Sequence, residues 1–120
     1  MPRDARAYLA DIIESCDAIE AALVGFDLQR YTENRLVRSS VEREFIIIGE
    51  AITVLSHKSP EAFAAISKAR RVVDFRNRLT HEYSLVDDEF VWAIANHDVP
   101  VLRDECQAFL ERSEPVVGAG

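Results

Sequence analysis

Residues 33–55 read Glu-Asn-Arg-Leu-Val-Arg-Ser-Ser-Val-Glu-Arg-Glu-Phe-Ile-Ile-Ile-Gly-Glu-Ala-Ile-Thr-Val-Leu. Leu36, Val37, Val41, Phe45, Ile48, Ile52 and Leu55 recur at steps of three and four, the period of one face of an α-helix. Ile46 and Ile47 widen that face beyond what one neighbour needs. A helix that is apolar most of the way round is buried on more than one side, so this segment predicts a long helix covered on two sides. Its second side is covered either by the same chain or by a second copy.

Working outward, Ala5, Tyr8, Leu9, Ile12, Ile13, Cys16, Ile19 and Leu23 mark an amphipathic helix over 3–24, with Gly25 as its C-cap. Asp27 caps a short turn through Tyr31. On the other side, Ser59-Pro60-Glu61 is a helix start, a serine N-cap followed by proline at the first helical position. A short helix to about Ile66 follows, then one from about Lys68 to Thr80 whose buried stripe is Val72, Phe75 and Leu79. Asp87 or Asp88 caps the last helical region, with Phe90, Val91, Ile94, Val101, Leu102, Cys106, Phe109 and Leu110 on its apolar face. Pro100 is expected to kink or restart that helix near residues 97–99. No strand alternation and no hairpin dipeptide is present. The fold class is all-α, a bundle of four to five principal helices.

The 120 residues suffice for one domain, expected over 1–112, with 113–120 as a flexible C-terminal tail. The apolar fraction of 48% allows a core without staples. Cys16 and Cys106 lie on apolar stripes with no CxxC spacing, which argues against a zinc site or a disulfide framework. No secretory signal and no run long enough to span a membrane is visible, so the expected location is cytoplasmic, without a membrane partner.

The net charge of −7 is unfavourable for a nucleic-acid protein, but its distribution is uneven. Residues 1–67 carry −4 and residues 82–120 carry −7, whereas residues 68–81 carry +4 from Lys68, Arg70, Arg71, Arg76 and Arg78 against Asp74. Such an island holds a phosphate locally without coating the molecule in nucleic acid; it also fits a solvated helix face with surface ion pairs.

Within and just beyond the island, residues 74–83 read Asp-Phe-Arg-Asn-Arg-Leu-Thr-His-Glu-Tyr. Arginine, asparagine, histidine and tyrosine together suggest anion binding plus proton transfer. On a continuous helix Arg76 and Tyr83, seven apart, share a face, while Arg76 and His81 point about 140° apart. Either the helix ends before His81, or two copies meet so that each site draws on both chains. A histidine near a helix end is ordinarily a cap or a surface group, and His57 and His97 are assigned no role.

The pattern Arg76-x4-His81-x-Tyr83, with Phe75-Arg76-Asn77-Arg78-Leu79 before it, resembles the signature of HepT-like proteins of the HEPN superfamily. Ile48-Gly49-Glu50-Ala51-Ile52, Val91-Trp92 and Asp98-Val99-Pro100 resemble the same family, so the likeness covers about residues 4–112. It implies a HEPN-like helical homodimer, possible further assembly with a partner, and metal-independent endoribonuclease activity without a cofactor. It also implies the toxin half of a toxin–antitoxin pair, whose antitoxin is a minimal nucleotidyltransferase of the MntA type that silences the toxin by AMP transfer to the motif tyrosine. Position by position it implies Arg76 and His81 as catalytic residues, Asn77 as their polar neighbour and Tyr83 as the AMP acceptor; Glu50 matches without a defined role.

The residue types fit that chemistry. RNA supplies its own nucleophile, the 2′-hydroxyl. Histidine is the one side-chain type in the motif whose charge ordinarily changes near neutrality, which suits His81 as base or acid. The planar fork of Arg76 holds two phosphate oxygens, and Arg78 is expected to assist RNA binding. The competing reading is a non-catalytic nucleotide- or RNA-binding regulatory partner of a nucleotidyltransferase, which the acidic net charge favours.

Overall fold

A computed structural model describes residues 3–113 of the chain. Among these residues there are six α-helices and no strand: α1 (Ala5–Leu23), α2 (Leu28–Glu33), α3 (Arg35–Lys58), α4 (Pro60–Ala64), α5 (Ala69–His81) and α6 (Asp88–Ser113), with one 3-10 turn at Tyr83–Leu85. Four of the helices are long, as the periodicity predicts. The tail expected beyond the bundle falls, from residue 114 onward, outside the described residues.

Local chemistry sets the helix boundaries. The side chains of Asp4, Asp27, Asn34 and Ser59 accept hydrogen bonds from the amides of Ala7, Arg30, Val37 and Ala62, so each supplies an acceptor to a first-turn N–H that has no intrahelical partner. Gly25, at φ +77°, takes the left-handed conformation that turns the chain out of α1. Asp87 caps α6 through the amide of Glu89 at 2.9 Å.

α3 is the central element and packs against α1 on one side and α5 on the other, while α6 packs on α1 and α2. The chain itself therefore supplies two neighbours of α3, while Ile46 and Ile47 stay half-buried. Val41, Phe45, Ile48, Ile52 and Leu55 of α3 are fully buried, together with Leu9, Ile12, Cys16 and Ile19 of α1 and Val91, Ile94, Val99 and Cys106 of α6. Burial pushes the Cys106 thiol up to about 12 and raises Cys16 as well, so both are inert core groups rather than nucleophiles. Phe75 stands edge-on to Phe45 at 5.0 Å and to Phe90 at 5.7 Å, joining α5 to α3 and α6; each such pair contributes about 1 kcal/mol beyond the area it buries. Arg103 Nε, 2.7 Å from Asp17, ties α6 to α1 at the surface.

Three expectations change. α6 runs as one helix through Pro100 rather than restarting there. Proline removes a single N–H from the ladder, and the buried residues on both sides of it, Val99 and Leu102, hold the segment against its neighbours. Leu36, which fits the α3 stripe by spacing, is 83% exposed because it lies in the first turn, beyond the reach of α1 and α5. Phe90 and Val101 are likewise partly exposed on the margin of the α6 face.

Candidate active site

Helix α5 carries the polar motif, and its apolar stripe of Ala69, Val72, Phe75 and Leu79 is buried against the bundle. That stripe fixes the rotation of the helix and hence the direction of every polar group on it. Arg76, next to Phe75, is turned toward α3 and half-buried. Its stem passes directly over the backbone of α3 at Gly49. A Cβ placed at residue 49 would lie 2.4 Å from Arg76 Cβ and 2.6 Å from Arg76 Cγ. Those contacts are with the near, inflexible end of the side chain, so a glycine is required for Arg76 to lie where it does.

The head of Arg76 is held on one side only. Its Nη1 donates to Asn77 Oδ1 at 2.9 Å, while its Nε is buried without a hydrogen-bond partner. An unpartnered guanidinium N–H carries a desolvation cost that an incoming acceptor would remove. Asn77 thus orients the arginine. Thr80 Oγ1 lies within hydrogen-bond distance of the carbonyls of Arg76 and Asn77, closing the last turns of α5.

His81 is the last residue of α5 and is exposed, with no side-chain hydrogen bond among the described residues. The helix does not end before it. The two residues therefore stay about 140° apart around the helix axis. Arg78 is exposed and lines a cavity of about 230 Å3 with Phe75, Val86, Asp87 and Phe90. A larger cleft of about 460 Å3 opens between α3, α4 and α5, where Arg70 and Asp74 face Thr53, Ser56 and Phe63. Arg71 is engaged elsewhere, 2.8 Å from the buried Asp98 of α6, so part of the basic island serves the fold.

Tyr83 departs from the seven-residue spacing argument. Glu82 leaves the helical conformation at φ −134°, ψ 40°, so Tyr83 opens the 3-10 turn instead of extending α5. The residue is 61% exposed, and its hydroxyl donates to Glu42 Oε1 on α3 at 3.2 Å. Glu42 is only 7% exposed. Burial raises its carboxyl above the usual glutamate range, and the hydrogen bond from Tyr83 pulls it partly back. The charge of Glu42 in turn raises the Tyr83 phenol. Arg38, one turn earlier on α3, lies 3.7 Å from Asp88.

Glu42 and Gly49 are the residues that sequence reasoning leaves without a role. The glycine carried a signal, since it sits in the middle of a long helix where glycine costs about 1 kcal/mol relative to alanine. Nothing in the local sequence distinguishes Glu42 from the other acids of α3. Among the described residues, no three histidine, cysteine, aspartate or glutamate side chains are grouped to hold a metal ion.

Residues 12–109 match the family described as Ribonuclease HepT-like. The chain belongs to the HepT-like family, and its all-helical fold is that expected for a HEPN protein. A provisionally named RNase of Methanocaldococcus jannaschii is 31% identical over 105 residues, covering 88% of this chain and 95% of the relative. A second from the same organism is 27% identical, covering 93% and 92%. The probable ribonuclease HepT of Thermococcus cleftensis is 28% identical, covering 86% and 93%. No solved structure matches the chain significantly.

Proposed function

We propose that this chain is a metal-independent endoribonuclease, the toxin of a toxin–antitoxin pair, in which Arg76 and His81 are catalytic, Asn77 and Arg78 support RNA binding, and Tyr83 accepts AMP from a nucleotidyltransferase antitoxin. The observation that carries the reading is Arg76 itself. It is seated over Gly49, steadied by Asn77, and left with a buried unpartnered Nε on the helix that ends at an exposed histidine. Membership of a ribonuclease family supplies the substrate class.

In the reaction, His81 takes the proton of the RNA 2′-hydroxyl as that oxygen attacks the adjacent phosphorus. The bond from phosphorus to the 5′-oxygen breaks, and the leaving oxygen takes a proton from water. Arg76 holds phosphate oxygens through parallel N–H donors, and its attraction grows as charge accumulates in the transition state. The products are a 2′,3′-cyclic phosphate and a 5′-hydroxyl. The angular separation of Arg76 and His81 favours a homodimer in which each site uses both chains. AMP on Tyr83 would add bulk and a negative phosphate beside the arginines and exclude RNA.

The test is cleavage of total tRNA and messenger RNA by partner-free protein in excess EDTA, beside His81→Ala, with the product ends identified. Cyclic-phosphate ends from the wild type alone are expected. An absence of cleavage by folded, unmodified protein would shift the assignment to a binding subunit of the nucleotidyltransferase.

A further inference from the structure

We propose that Glu42 is the base that receives the phenolic proton of Tyr83 when that tyrosine acquires AMP; the inference rests on the reading of Tyr83 as the AMP acceptor given above. Tyr83 combines two properties that a modification target needs. The residue is 61% exposed, open to an approaching enzyme, while its hydroxyl is committed to a single acceptor, Glu42 Oε1, across 41 residues of sequence. Because the O–H points at Glu42, the lone pairs of Oη remain available to an electrophile.

Glu42 is an unusual residue for its place. It lies between the fully buried Val41 and the Phe45 turn of α3, at 7% exposure, and its one side-chain hydrogen bond among the described residues comes from Tyr83. Burying a carboxylate so sparsely paired is unfavourable, and burial makes this carboxyl more basic than an exposed glutamate. The charged and titratable groups around the pair are Arg35 and Arg38 of α3, Asp88 of α6 and Tyr31 of α2. With its phenol raised by Glu42, Tyr83 meets a nucleotide as a neutral phenol at neutral pH. A neutral phenol is a weak nucleophile and requires a base in contact.

Tyr83 Oη forms a bond to the α-phosphorus of ATP carried by the nucleotidyltransferase. The bond from that phosphorus to the bridging oxygen breaks, pyrophosphate leaves with the electron pair, and the proton on Oη passes to the Glu42 carboxylate. Arg35 and Arg38 supply positive charge toward the triphosphate. Once protonated, Glu42 becomes a donor facing the new phosphate ester, so no carboxylate charge opposes the attached AMP.

The experiment measures initial rates of AMP transfer to the full chain by its cognate nucleotidyltransferase with α-labelled ATP, for wild type, Glu42→Gln and Tyr83→Phe, across pH. Glu42→Gln is expected to slow labelling of Tyr83 by about tenfold or more and to abolish the rise of rate with pH through the titration of Glu42. Helix content is expected to be unchanged. Equal rates and an equal pH profile would overturn the role of Glu42 alone, whereas unlabelled wild type or labelled Tyr83→Phe would overturn the reading of Tyr83 and this inference with it. A partner-free measurement separates a base from a mere tether. O-acetylation of Tyr83 by N-acetylimidazole, read by mass spectrometry, slows in Glu42→Gln if Glu42 is the base, and stays equal or rises if Glu42 only holds the ring.

Discussion

At the scale of the residue, two small facts position the chemistry. Gly49 exists to admit the stem of Arg76. Gly49→Ala is expected to force α3 and α5 apart or to displace Arg76, destabilising the fold by about 1–3 kcal/mol and lowering RNA cleavage together with it; thermal denaturation and a cleavage assay on the same sample check both. Arg76→Lys keeps the charge but loses the planar fork, and is expected to reduce cleavage about a hundredfold with no change in helix content. Full cleavage by that variant would remove the two-donor role. Glu42 makes a pH prediction whose sign follows from its raised carboxyl. Between the ordinary glutamate value of about 4.3 and the raised folded value, the native state keeps a proton that the unfolded state has released. Stability is therefore lost as pH rises through that interval. Glu42→Gln should be more stable than wild type at neutral pH, and the difference in urea midpoint should vanish on acidification below about pH 4.

At the scale of the element, α6 shows tertiary packing overriding a local preference. Proline in a helix interior is about 3 kcal/mol worse than alanine, yet α6 passes unbroken through Pro100, with Val99 and Leu102 buried on either side. Pro100→Ala is expected to raise the unfolding free energy by roughly 1–2 kcal/mol after the small loss of side-chain packing, read as a higher urea midpoint at constant slope; a fall in the midpoint would mean the pyrrolidine ring fills space that the bundle needs. Helix α5 illustrates the opposite balance, in which pattern and packing agree. Val72, Phe75 and Leu79 were legible as its buried stripe from spacing alone, and all three are buried. Its C-terminal boundary was legible to within one residue, about Thr80 from the sequence against His81 in the structure. The helix includes His81 because Thr80 bonds back to the carbonyls of Arg76 and Asn77 and the Glu82 amide still reaches Arg78.

At the scale of the whole molecule, the separation of Arg76 and His81 on one continuous helix makes the site a question of assembly. If each site takes Arg76 from one copy and His81 from the other, two inactive proteins can restore it. Arg76→Ala mixed and reannealed with His81→Ala should regain roughly a quarter of wild-type cleavage, since half of the dimers are mixed and each holds one intact site. No recovery from a mixture shown to contain mixed dimers would place both residues of each site in the same chain.

The all-helical class, the burial of α3 on more than one side, the caps at Asp27 and Ser59, and the polar cluster on α5 were determined by the sequence, because hydrophobic periodicity and helix-end chemistry act over a few residues. The family likeness followed from the same short motif and its helical context. The contact of Arg76 with Gly49, the burial of Glu42, the bond that joins it to Tyr83 and the diversion of Arg71 to Asp98 were decided only by tertiary structure. Each joins groups on different helices, and no local pattern encodes which turn of one helix will lie over which turn of another.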